Sequence, residues 1–307
     1  MILMNRITYI LSIVLAGLCI SSCHDIINMD EPENDMLIQL KSSIPVTSVM
    51  VKSEGFDYDS QIDGGLGLSF FRWDEGGVTD VKRLQPLDGV LEGTPDPSDN
   101  WNRSIHINPA QYYKDRTSQV GFLGFYPRIS NKKWVKPNAT TYFTNDAQDR
   151  PTLTFDIDGE TDVMVSDFQK GSYEAGINNL TLSHALCKYD IYIYAADQDT
   201  KDQWGDVEDI VLMNLPEQLF VHLPKDITDP SQRVEYSFTS APADPSEYTP
   251  TVISADTDLP VGLANKKYIG SYLGGSPAIG VLGVSVTAKN AESRSPVSIA
   301  RNFRPGY

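Results

Sequence analysis

Apolar side chains recur at every second residue in much of this chain. That spacing belongs to extended strands with one buried face, because successive side chains of a strand point to opposite sides. Cys187, Tyr189, Ile191, Ile193 and Ala195 fall on one side of such a segment, with Lys188, Asp190, Tyr192 and Tyr194 on the other. Leu153, Phe155 and Ile157 alternate with Thr154, Asp156 and Asp158, which predicts a half-buried strand with an acidic outer face. Leu66, Leu68 and Phe70 repeat the pattern, as do Phe122, Gly124 and Tyr126, and Leu282, Val284, Val286 and Ala288. Turn-favouring clusters separate the runs: Asp74-Glu75-Gly76-Gly77, Thr94-Pro95-Asp96-Pro97, Ala241-Pro242-Ala243-Asp244-Pro245 and Gly274-Gly275-Ser276-Pro277. No sustained helical stripe interrupts them; only residues 108–116, opening at Asn108-Pro109, are predicted as a short helix. Many short strands between regular turns predict an all-β chain built as β-sandwiches.

The N-terminus speaks to location. Met1 to Arg6 carry one positive charge, Ile7 to Ile20 form an apolar run of 14 residues, and Ser21-Ser22-Cys23 follow. The run is too short for a membrane span, which needs about 20 apolar residues, and reads as an export signal. Small residues before a cysteine resemble the lipobox of bacterial lipoproteins, which predicts a signal peptide over residues 1–22 and a diacylglyceryl group on Cys23. Cys19 is the rival site, but bulky Leu18 precedes it. Residues 23–36 are polar and acidic and read as a tether between lipid and folded body. Loss of the signal and lipidation of Cys23 would leave Cys187 as the one free-thiol candidate, so no internal disulfide is expected.

Charge and motif content narrow the function classes. The chain has 41 acidic against 25 basic residues and a formal net charge of −16. It offers no basic stripe to neutralise a phosphate backbone, which argues against a nucleic-acid partner. No His-Glu-x-x-His, Gly-x-Ser-x-Gly, phosphate loop or Cys-x-x-Cys is present. His24, His106, His184 and His222 show no metal-ligand spacing, and His184 reads as structural. Asp156 to Asp162 alternate acidic residues, yet lack the sixth-position glycine and closing glutamate of a calcium loop, so a strand and turn are expected. No cofactor, metal or catalytic residue is therefore assigned. Trp73, Trp101, Trp134, Trp204 and Tyr112-Tyr113 read as packing groups. Three or more tryptophans gathered on one exposed face would instead favour glycan binding.

The order of segments adds a resemblance. Phe122-Leu123-Gly124-Phe125-Tyr126-Pro127 comes first, then Leu153-Thr154-Phe155-Asp156-Ile157, then Thr161-Asp162-Val163-Met164-Val165-Ser166-Asp167. Leu180 to Ile193, with its His184-Ala185-Leu186 landmark, follows; Ile210 to Pro216 and Asn302-Phe303-Arg304-Pro305-Gly306 complete the series. This succession, from about residue 36 to the end, resembles the fimbrillin-like lipoproteins of gut and oral Gram-negative anaerobes, the subunits of their donor-strand pili. The resemblance implies two transthyretin-like β-sandwich domains in tandem, over residues 37–175 and 176–307, with the boundary in Gly171–Gly176. It implies a non-enzymatic outer-membrane surface lipoprotein, or fimbrial subunit once processed, that mediates adhesion. Its partners would be other fimbrial subunits, the outer membrane through the lipid, and surface glycans or proteins of host or bacteria. In that family a protease cuts after a basic residue in an N-terminal loop, the first strand leaves, and a strand of the next subunit enters. Ile38, Leu40 and Ile44 are then the strand-exchange residues.

Two features depart from the family pattern. No arginine lies between Cys23 and Arg72, so Lys52 is the best-placed cleavage residue, with Lys41 as the other basic choice. Residues 303–307 resemble the lead-in to the family's final strand, after which the sequence given stops. A surface glycan-binding lipoprotein serving nutrient uptake is the alternative class.

Overall fold

The computed structural model describes residues 36–43, 66–91, 103–129, 134–135, 143–177, 179–239, 251–275, 281–290 and 297–300. The chain divides into Met1–Leu37 and Ile38–Tyr307, and every element below belongs to the second part. Among the described residues the chain is mostly β. The first strands are β1 (Leu40–Ser43), β2 (Leu66–Asp74), β3 (Pro86–Leu91), β4 (Arg103–Asn108), β5 (Val120–Tyr126), β6 (Trp134–Val135) and β7 (Thr144–Asn145). There follow β8 (Pro151–Asp156), β9 (Met164–Ser166), β10 (Gln169–Ser172), β11 (Gly176–Ile177), β12 (Leu180–His184) and β13 (Cys187–Ile193). A helix, α1 (Gln198–Trp204), precedes β14 (Val207–Met213), β15 (Gln218–His222), β16 (Glu235–Phe238), β17 (Thr251–Thr257), β18 (Lys267–Gly274), β19 (Val281–Ala288) and β20 (Val297–Ala300).

Seven of these strands close into a ring in the order β5–β2–β3–β4–β1–β12–β9 and back to β5, with β10 and β11 continuing from the same edge of β5. A second sheet, β16–β15–β8–β6 with β7 on β8, lies against the ring wall. This explains why β2 and β5 are buried on both faces although the sequence predicts one apolar face. Phe70 meets Phe122 edge to face at 6.4 Å on the ring's inner side. Phe71 meets Phe125 at 5.2 Å on the outer side, where both join a core with Leu153, Phe155, Leu219 and Val221. Inside the ring, Gly124 leaves the room that the Phe70 ring fills.

The expected boundary near residue 176 is crossed by strand pairing. β12 sits between β1 and β9, and β15 pairs with β8 from Gln218↔Asp156 to His222↔Thr152. The segment after residue 176 thus supplies strands to both sheets of the first core. A second core, around Val207, Ile210, Leu212 and Leu282, lies between the sheet β17–β14–β19–β20 and the pair β13–β18. Tyr189, Ile191 and Ile193 serve it from β13, as their alternation predicts.

Two local expectations change. Residues 108–116 form no helix: β4 runs to Asn108, the Asn108–Pro109 peptide is cis, and the following segment is a loop. Side chains organise it, with the Asp115 carboxylate accepting from the Thr117 and Ser118 N–H groups. The helix lies instead at α1, capped by the Asp197 carboxylate at Thr200 N–H and ended by Gly205 at φ 71°. Its seven residues bury none, so no apolar stripe announces it.

The cores are linked where Leu273 N–H donates to Gly159 O at 2.7 Å. Gly159 has φ 84°, and a Cβ there would overlap the Tyr272 ring. Gly76, at φ 73°, has open space around its absent Cβ. In urea denaturation, Gly76→Ala is expected to cost roughly 1 kcal/mol, the penalty of left-handed backbone alone. Gly159→Ala adds the overlap and is expected to cost about 2–4 kcal/mol.

Candidate functional site

No hairpin joins β1 to either of its neighbours in the ring. On one side it runs antiparallel to β4, with Leu40↔Ile105, Lys41↔Ser104 and Ser42↔Arg103 in register. On the other it runs parallel to β12, with Ser42↔Leu180 and Ser43↔Thr181. Ser42 and Leu180 are 138 residues apart in sequence. The strand therefore plugs a slot whose walls come from distant parts of the chain.

Alternation sets which side chains enter. Ile38 and Leu40 are 5% and 2% exposed, whereas Gln39 and Lys41 face solvent. Ser42 continues the inward row, fully buried, and its Oγ donates to Leu180 O at 2.6 Å. That bond satisfies a hydroxyl that would otherwise be costly to bury. Ile38 N–H donates to Gln111 O at 2.8 Å, in the loop after β4. Arg72 holds that loop, donating to Gln111 Oε1 at 2.7 Å and Tyr112 O at 3.1 Å while paired with Asp74 at 2.6 Å.

Of the residues singled out from the sequence, Ile38 and Leu40 lie together in the slot. Cys23, Ile44 and Lys52 fall outside the described residues. Ser42 and the Arg72–Gln111 clasp were not anticipated. Ser42 was accessible by extending the period-two count; the clasp, bridging 39 residues, leaves no local pattern.

On the far side of β12, His184 Nδ1 lies 2.5 Å from Asp162 Oδ2. Burial disfavours the imidazolium, but the Asp162 carboxylate outweighs it and the His184 pKa is raised. His222 behaves oppositely. Its Nδ1 meets Thr152 Oγ1 at 2.9 Å and its Nε2 meets Ser237 Oγ at 2.7 Å, bracing β8, β15 and β16. Burial and the Arg150 charge lower its pKa. Asp146 stands 3.4 Å from His222, but its carboxylate already accepts from Arg150 Nε at 2.6 Å and from the Arg150 N–H at 2.7 Å. That makes the group a strut rather than a Ser-His-Asp relay.

The acidic stretch after β8 is a turn, as expected. Asp158 accepts from the Glu160 and Thr161 N–H groups at 2.9 and 2.7 Å. Among the described residues, no group of three or more His, Cys, Asp or Glu side chains is gathered to hold a metal. Trp73 is buried in the first core beside Phe168, and Trp204 packs against the second. These two tryptophans share no exposed face, while Trp101 and the side chain of Trp134 lie outside the described residues.

No family profile and no curated protein matches this chain. Similar solved structures do exist. A protein assigned to cell adhesion from Bacteroides uniformis is 13% identical, over 88% of this chain and 86% of its own, with a TM-score of 0.47. A fimbrial protein from Bacteroides vulgatus is 11% identical, over 85% and 87% of the two chains, at 0.41. A fimbrial assembly protein from Parabacteroides distasonis is 10% identical, over 88% and 87%, also at 0.41. The solved neighbours are fimbrial and cell-adhesion proteins of Bacteroidales.

Truncating Leu40 to Ala is expected to cost about 2–5 kcal/mol in urea denaturation. Lys41→Ala, on the outer face, is expected to stay within about 0.5 kcal/mol. A raised folded pKa means that the His184–Asp162 contribution is full below the unfolded histidine value of about 6.5. It is lost as pH rises through the folded pKa. The urea midpoint should fall over that window, and His184→Gln should abolish the fall. His222 has the reverse sign, so its contribution is lost as pH drops below the unfolded value.

Proposed function

We propose that this chain is a non-enzymatic fimbrial subunit of a bacterial surface, made as a lipoprotein on Cys23, assembling by strand exchange and serving adhesion. One observation carries the proposal: a single short strand, free of hairpin links, closes a ring between two sequence-distant strands. Removing it would leave backbone groups of β4 and β12 unpaired and empty the places of Ile38, Leu40 and Ser42. An incoming strand with the same inward series, two large apolar residues and then a small hydroxyl, would restore them. Refilling recovers about 1.5–3 kcal/mol for each large apolar side chain. The resemblance in segment order to fimbrillin-like proteins names the same process and supports a tandem of transthyretin-like sandwiches. Lys52 lies in the segment between β1 and β2, so a cut there would separate β1 from the rest of the chain. The location proposed is the outer-membrane surface, with the fimbrium as destination after processing.

Mass spectrometry of the protein recovered from cells tests this directly. An N-terminus at Ser53 without lipid is the expected result for a polymerising subunit. A diacylated Cys23 with residues 24–52 intact would overturn strand removal and leave a subunit that keeps its own strand, acting as an anchor.

A further inference from the structure

The pair β13–β18 gives one face to the second core; on the other, Leu273 opposite Lys188 is buried in the first core, and Asp190, Tyr192, Tyr268 and Ser271 beyond it are half-buried. A register shift between Ile191 and Tyr192 sets Tyr192 opposite Tyr268, with ring centroids 5.4 Å apart and planes at 58°. Tyr194 follows two residues on, 44% exposed. The same row holds Lys188 and Asp190, paired at 3.0 Å. Ser271 links the Tyr268 hydroxyl, at 2.7 Å, to the Asp190 carboxylate. Lys266 places its ammonium 4.3 Å above the Tyr192 ring and has no carboxylate partner among the described residues.

We propose that this face binds a saccharide bearing a carboxylate, with a sugar ring stacked on Tyr192 and Tyr268 and its carboxylate met by Lys266. Beyond the buried Leu273 end, Asp190, Ser271, Tyr192 and Tyr268 all carry hydrogen-bonding groups, which suits a hydroxylated ligand better than the apolar centre of a protein partner. Tyrosines provide flat, rigid apolar area together with a polar hydroxyl. Charge selects the acidic class: two lysines face one aspartate here, on a chain of net charge −16. An anionic group is drawn to this spot and repelled by most of the remaining surface. The lysines are too few to follow a nucleic-acid backbone. The inference deepens the adhesive role proposed above and rests on it only for the ligand's origin.

The test titrates residues 24–307 with tetragalacturonate and 3′-sialyllactose, using lactose as the neutral control, at low and at high salt. At least one acidic probe is expected to bind about tenfold more tightly than lactose, a difference of about 1.4 kcal/mol. Lys266→Gln, at an exposed site, is expected to bring that probe to the lactose level and remove the salt dependence. Tyr192→Ala should weaken binding about tenfold or more, with an unchanged circular dichroism spectrum as the check on folding. Failure of both acidic probes to bind at millimolar concentration overturns the proposal, as does binding that neither variant alters. Fibre formation is scored on the same proteins: fibres without acidic-saccharide binding sink this inference and leave the fimbrial reading standing. Loss of fibres with binding intact does the reverse.

Discussion

A seven-strand ring closes only where its first and last strands find partners, and here closure depends on short stretches of backbone pairing. β5 divides one edge between two neighbours: Val120 to Phe122 pair with β10, and Phe125 and Tyr126 pair with β9. Across the ring, Ser42 and Ser43 make the parallel contact with β12. A parallel pair needs a long crossover connection, so it joins segments that lie far apart in the chain. Leu40, Phe70, Phe122 and Leu180 are all buried and lie outside the core shared with the second sheet, and the interior they fill exists only when the ring is complete.

From that closure follow the features that bear on function. The ring wall must be apolar on both sides, since its interior is filled and its exterior carries the sheet of β15 and β8. Departure of β1, which no hairpin holds to its neighbours, would open the interior. Its inward row of two large residues and one buried serine gives the slot a specific shape. The Arg72 clasp on Gln111 then supports the place where β1 enters, through the Ile38 hydrogen bond.

The two histidines show how environment alone separates residues of one type. His184 gains a carboxylate within a half-buried setting and holds its proton more tightly. His222 is enclosed by hydroxyls beside the Arg150 guanidinium and holds it less. Stability governed by both groups would be greatest between their transitions, as linkage requires of opposed shifts.

The sequence by itself determined the class of structure. Period-two alternation at Cys187–Ala195, Leu153–Ile157 and Leu282–Ala288 dictates extended segments, because a strand's side chains alternate regardless of what they pack against. Ile38 and Leu40, which the family resemblance named, follow the same rule in β1. Segment pairing was beyond the reach of the sequence. That Ser42 would meet Leu180, that β15 would cross back to β8 past residue 176, and that both faces of β2 would be buried are relations between distant segments. Only tertiary structure decided them, because a strand's edges offer identical backbone groups to any partner and its local pattern records just which face is apolar.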